Sequence, residues 1–342
     1  MMRAQAKILI ALMFAVISAT AAATDIWYED NNLGRPGGMP PDFVEKFHQP
    51  EAFSQASRYI RVYMVRANVL GTMDEEFLAN LLRPYLDRNR IKLAIDAAGA
   101  TWTQLEGQEK ISSREISLLK RLKRLDIQVD YISLQSVLSK PLVINGETVD
   151  YPVSWRVEDV VAYAKAVRAI YPQVQIGIID ALPSHGKDYR QPYLMLRDAM
   201  AAEKMELSYI HLDIPFDILK EQSLGVTWQH IRDVESYVED ILGLRFGLLT
   251  TSSKGGRISS KAFHERVLLA QQCYLGAQGT PGDFIIASWF PNPQATIPET
   301  ATGNDYPAMR TVLEFGRQLV RIGKMGEQAI DQQSWRALCT TQ

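Results

Sequence analysis

Eight short apolar runs rich in β-branched residues recur along the chain, starting 31 to 47 residues apart. They are Ile26–Glu29, Ile60–Val65, Ile91–Asp96, Ile127–Leu134, Val174–Asp180, Ser208–Asp213, Arg245–Thr250 and Phe284–Trp289. A strand with its helical crossover takes about 30 residues or more, so this rhythm predicts parallel strands joined by helices. The segments between agree. Glu75–Leu86, Arg114–Leu125, Arg156–Ile170 and Trp228–Leu242 each repeat apolar residues at the 3.6-residue period of a helix. Thr72-x-x-Glu75 and Ser112-x-x-Glu115 read as capping boxes. No glycine fingerprint follows an early strand, which argues against an open dinucleotide-binding sheet. The expectation is an α/β chain forming one closed (β/α)8 TIM-type barrel over residues 24–342. Its first strand is the weakest of the eight, short and at the start of the mature chain, which leaves an irregular or incomplete first strand open. Asn31–Pro41 reads as a loop and Pro141–Pro152 as a small hairpin.

The first 23 residues read as a signal peptide. Arg3 and Lys7 precede the apolar stretch Ile8 to Ser18, and Ala19-Thr20-Ala21 offers the small residues that a signal peptidase reads. The apolar stretch falls short of the roughly 20 residues that span a bilayer. A periplasmic or secreted protein with no membrane span in its mature form is therefore expected. The net charge of −2, with Lys and Arg scattered, argues against a nucleic-acid partner. The two cysteines, Cys273 and Cys339, are either bridged in an oxidising compartment or a pair of buried thiols. No CxxC or His-rich spacing is present, and neither a metal nor another cofactor is expected.

In a (β/α)8 barrel the active site lies where the strands end, because the βα loops converge there. The strand ends supply Glu29, Asp30, Asn31, Arg66, Asp96, Gln135, Asp180, His185, His211, Asp213, Thr250, Ser252, Trp289, Asn292 and Glu299. The set is rich in carboxylates, amides and aromatic rings. Sugars need that mixture: hydroxyls pair with carboxylates and amides, and apolar ring faces stack on aromatic rings. Glycosidic cleavage needs two carboxylates astride one bond. Asp180 and Asp213 end adjacent runs and are the expected catalytic pair. Asp96, Gln135, His185, Trp289 and Glu299 are expected to contact substrate. The competing reading for each Asp is a helix cap. Lys254-Gly255-Gly256 is a weak candidate for an anion-binding loop.

These residues resemble secreted (β/α)8 proteins of the glycoside-hydrolase type. The resemblance is carried by IWYE at 26–29, IGIID at 176–180, YIHLD at 209–213, RFGLLT at 245–250 and SWFPNPQATIPE at 288–299. In the large clan of retaining barrel glycosidases, an acid/base Glu ends the fourth strand and a nucleophile Glu ends the seventh. Here those places hold Leu134-Gln135-Ser136 and Thr250-Thr251-Ser252. Omitting the first run moves Asp180 to the fourth place and Phe284–Trp289 to the seventh. The resemblance thus implies a carbohydrate-active barrel, either a glycoside hydrolase or a noncatalytic glycan-binding protein of polysaccharide export or assembly. A metal-dependent hydrolase using Asp96, Asp180, His185, His211 and Asp213 is a third reading.

Overall fold

A computed structural model describes residues 24–33, 38–99, 113–139, 142–144, 147–149, 151–182, 189–301, 303, 305–325 and 332–340. The expected signal peptide and His185 lie outside the described residues. Eight parallel strands close into a barrel. They are β1 (Asp25–Glu29), β2 (Ile60–Arg66), β3 (Lys92–Ala97), β4 (Tyr131–Gln135), β7 (Gln175–Asp180), β8 (Leu207–Asp213), β9 (Arg245–Thr250) and β10 (Asp283–Ile286). Between β4 and β7 the chain makes an antiparallel hairpin of β5 (Leu142–Ile144) and β6 (Glu147–Val149), as the glycine turn predicts. The first strand is a full member of the barrel. It pairs with β10 on one side and β2 on the other, with one register shift between Ile26 and Trp27. The strand count from Ile26–Glu29 therefore holds.

Alternation along the strands separates two cores. Outward residues such as Ile178, Ile210, Leu212 and Phe246 pack under the helices. Inward residues fill the lumen: Trp27, Val62, Met64, Ala94, Ile179, Tyr209, Leu249, Ile285 and Ala287, with Tyr131 and Trp289 packed against them. Two glycines make room for the bulkier members. A Cβ on Gly177 would lie 2.3 Å from the Tyr209 ring, and one on Gly247 would lie 2.5 Å from His211. Below the lumen centre, Asp283 gathers Trp27 Nε1 at 2.9 Å, Arg245 Nε at 2.8 Å and His211 Nε2 at 3.3 Å. Burial alone would raise the pKa of Asp283, but its hydrogen bonds from His211 and Arg245 outweigh that and hold it low. His211 is thereby committed to the barrel interior.

Local signals were met in part. The helical stretch from Glu75 is capped by Asp74, whose side chain accepts from Phe77 N at 2.7 Å, and not by Thr72. Thr72 lies at the end of the preceding helix and donates to Val69 O. Ser112 is outside the described residues; Glu115 accepts from the backbone of Ala98. A reciprocal cap forms between Thr227 and His230, where histidine stands in place of the Glu or Gln of the usual capping box. Cys273 and Cys339 are joined in a disulfide, which ties the C-terminal helix Gln332–Cys339 to the helix Ser260–Gly276. Among the described residues no helix is long and apolar enough to cross a membrane.

Candidate active site

The alternation that places Trp27, Met64, Ala94, Tyr209 and Leu249 in the lumen also decides which side chains crown it. Two residues further on, each strand presents Glu29, Arg66, Asp96 and, from β8 by way of His211, Asp213. Gln135 stands at the same level, two residues beyond Ser133, whose hydroxyl meets that of Tyr209 in the lumen at 2.8 Å. Arg66 joins the group. Its Nε lies 3.0 Å from Glu29 Oε1 and 3.5 Å from Asp96 Oδ2.

Three carboxyl groups facing one guanidinium cannot all remain charged at low cost. Burial, more than any other influence, raises the pKa of Glu29, and Arg66 opposes the rise. Asp96 is raised well above the usual range by burial and by the nearby Glu29; Arg66 and the Gln135 amide pull the other way. Asp213 is pushed up to about 7 by burial, then by the charges of Glu29 and Asp180, against the pull of Arg66. Asp96 Oδ1 and Asp213 Oδ1 are buried without a well-formed hydrogen bond, and so is the Thr251 hydroxyl. Such orphaned groups are rare in finished protein interiors and mark places where a ligand or water completes the bonding.

The other expected site residues have different places. Asp180 is next to lumen-facing Ile179 and is turned to the helix layer. Its Oδ1 accepts from Ser139 Oγ at 3.0 Å and its Oδ2 from Tyr193 OH at 2.9 Å. The geometry therefore does not set Asp180 and Asp213 face to face across one cleft, although Asp180 is near enough to bear on the Asp213 charge. Glu299 is not at the mouth. Its carboxylate receives Gln55 N at 3.1 Å and Ala56 N at 2.7 Å, and it caps the short turn Ala56–Arg58. Trp289 packs on the lumen cluster, partly buried, with its ring centroid 5.4 Å from that of Phe290. Its loop is pinned by Asn31, whose side-chain amide donates to the carbonyls of Phe290 and Pro293. The Lys254-Gly255-Gly256 segment is no anion cradle: Lys254 N donates to Asp217 and Gly255 N to Ser252 Oγ. Among the described residues no set of three or more His, Cys, Asp and Glu is placed to hold a metal ion.

Glu29 and Arg66 were visible as strand ends in the sequence, but nothing there singled them out. The signal that does so is parity. In YIHLD the polar residues Tyr209, His211 and Asp213 share one face, and counting by twos on the other strands selects Glu29, Arg66 and Asp96.

The strands close into a (β/α)8 barrel whose mouth carries acidic and amide side chains. Solved structures with this architecture include xylanase A of Pseudomonas fluorescens subsp. cellulosa, at 11% identity and a TM-score of 0.52, covering 87% of this chain and 99% of that one. A fungal β-1,4-galactanase matches at 12% identity and a TM-score of 0.51, over 86% of this chain and 100% of that one. D-psicose 3-epimerase from Clostridium cellulolyticum H10 matches at 15% identity and a TM-score of 0.50, over 90% of this chain and 100% of that one. At these identities the likeness is one of fold. No protein-family model matches the sequence, and no curated protein matches it either.

Proposed function

We propose that this chain is a carbohydrate-active barrel that hydrolyses a glycosidic bond at the mouth formed by Glu29, Arg66, Asp96, Gln135 and Asp213. The observation that carries the reading is the group of three carboxyl groups around one guanidinium, Glu29 and Asp96 buried and Asp213 partly so, with Asp213 raised to about 7. A general acid works best with a pKa near the working pH. Asp213 is the proton donor to the leaving oxygen. The Glu29–Asp96 pair, whose ionised form Arg66 favours against burial, supplies the opposing carboxylate. As the glycosidic bond breaks, the leaving oxygen takes the Asp213 proton; water adds its hydroxyl to the sugar's anomeric carbon and gives its remaining proton to a carboxylate of the mouth. Trp289 offers an apolar face to the ring. Asp180 acts as a positioning group that adds to the charge around Asp213. A carboxyl separation of about 5 Å across the bound sugar would give retention, and roughly 6.5–9.5 Å inversion.

The test is release of reducing ends from a panel of polysaccharides by the purified chain and by its Asp213→Asn variant. Activity that falls at least about 100-fold in the variant supports the acid role. Unchanged activity removes Asp213 from the mechanism. A second reading, binding without cleavage, draws on Gln135 and Thr250-Thr251 at the ends of the fourth and seventh barrel strands, where a retaining glycosidase would hold its carboxylates. Saturable binding with no product over long incubation would favour it.

Export to the periplasm or beyond is part of the proposal. It is supported by the residue pattern of positions 1–23 and by the Cys273–Cys339 bridge, a linkage that persists in oxidising compartments. N-terminal sequencing of the fractionated protein checks it. An uncleaved chain in the cytoplasm would reject it.

A further inference from the structure

We infer that Glu29 and Asp96 hold a single proton between them, that it resides on Asp96, and that Glu29 is the one ionised carboxylate opposing Asp213. The inference rests on the hydrolytic reading above and divides its carboxylate pair into two roles. Three adjacent strands bring the groups together. Arg66 on β2 and Asp96 on β3 are register partners, and Glu29 on β1 pairs with Met64, two residues before Arg66 on the same face. Glu29 and Asp96 are both buried, and Asp96 stands within hydrogen-bonding reach of Glu29. Ionised carboxylates only accept hydrogen bonds, so a direct bond between two of them requires that one keep its proton. Repulsion between like charges in a buried setting enforces the same outcome.

The surroundings decide which one keeps it. Arg66 donates from Nε to Glu29 Oε1 at 3.0 Å, a hydrogen-bonded ion pair. The same nitrogen lies 3.5 Å from Asp96 Oδ2, a looser contact. Asp96 Oδ1 is buried without a partner, a poor place for a charge. Burial and the charges of Glu29 and Glu115 favour the neutral form of Asp96, and Arg66 and the Gln135 amide oppose them. At Glu29, burial and Asp30 act against the charge, while Arg66 and the hydrogen bond from Asp96 support it. Below about pH 7 the mouth then holds one anion, Glu29, one cation, Arg66, and two neutral acids, Asp96 and Asp213. In the reaction, Asp213 gives its proton to the leaving oxygen, and the proton released by water passes to Glu29. Asp96 keeps its own and is a positioning residue that fixes the orientation of the Glu29 carboxylate.

Infrared spectroscopy of the disulfide-bonded chain tests the assignment without a substrate. It is carried out at mildly alkaline pH, where Asp213 and Glu239, each with a value of about 7, have lost their protons. Protein isotopically labelled at the aspartate carboxyl carbons is compared with protein labelled at those of glutamate. A protonated-carboxyl band is expected to shift with the aspartate label, to stay in place with the glutamate label, and to vanish in Asp96→Asn. A band that moves with the glutamate label, one that survives Asp96→Asn, or the absence of any such band overturns the inference. Kinetics supply a second reading. Glu29→Gln should lower kcat at least about 100-fold. Asp96→Asn keeps a neutral donor in place and should lower it about tenfold, the scale of one altered hydrogen bond. Equal losses in the two variants overturn the division of roles. If the parent protein cleaves no polysaccharide, the hydrolytic reading falls, and the band still decides where the proton lies.

Discussion

The Asp213 carboxyl group carries opposite consequences for activity and for stability. Its pKa is raised from 3.8 to about 7, so between those values the folded chain holds a proton that the unfolded chain has lost. Its contribution to stability is full below the lower value and is lost as the pH rises through about 7. Asp213→Asn should therefore stabilise the protein at mildly alkaline pH by on the order of 2 kcal/mol while abolishing acid catalysis. Urea unfolding at acid and alkaline pH checks the first, and the gain should vanish at acid pH. In the parent protein, kcat/KM should decline as the pH rises through the same region. Asp180 matters more to the fold, through the hydrogen bonds it accepts from Ser139 and Tyr193. Tyr193→Phe removes one of its donors and should cost about 1–2 kcal/mol, with a much smaller effect on kcat than Asp213→Asn. The contrast between the two residues was only half legible in the sequence. YIHLD alternates polar and apolar residues and so declares its inward face. In IGIID, Ile178 and Ile179 are equally apolar, and no pattern says which of them lines the lumen. Asp180 could therefore be placed at a strand end but not on a side. Glu299 was out of reach for another reason: its partners, Gln55 and Ala56, lie more than 240 positions away in the chain.

The strands themselves were legible because burial on both faces demands continuous apolar runs. Their limits were less so. Ile127–Leu134 begins as a strand only at Tyr131, and Phe284–Trp289 leaves the sheet after Ile286. Short polar connections around the first strand hide a further element. The single-turn helix Glu45–His48 brings Lys46 to within 2% of complete burial, against Asp30 and the hydroxyl of Tyr63. Phe43, Phe47 and Tyr63 surround its ammonium, with ring centroids 4.7 to 4.9 Å away. Burial lowers the Lys46 pKa, and Asp30 resists that. A lysine in a polar stretch gives no sign of such a position. Lys46→Met should cost roughly 3 kcal/mol, because it leaves Asp30 buried without its cation. Adding Asp30→Asn should recover part of that loss. Guanidinium unfolding of the two variants measures both, and a double variant no better than the single one would show that the pair is not the cause.

At the scale of the whole molecule, the Cys273–Cys339 bridge closes a loop with a sequence separation of 66. In the chain-entropy account such a loop is worth about 4 kcal/mol. Reduction, or Cys339→Ser, should lower stability by that order. The effect should be confined to unfolding: the mouth lies at the strand ends, and the bridge joins two helices outside the barrel. Retained activity with a lowered unfolding midpoint in the presence of reductant is the expected result. The closed barrel could be anticipated because eight similarly spaced runs have few other ways to bury both faces. The bridge could not, since two cysteines permit a link without requiring it.

The packed lumen sets rules of traffic. With Trp27, Tyr131, Tyr209 and His211 wedged together beneath the carboxyl groups, the barrel is a well with a stoppered floor and not a conduit. Whatever arrives at the rim must depart by the rim, and a long chain must lie across the opening, since it cannot be threaded through.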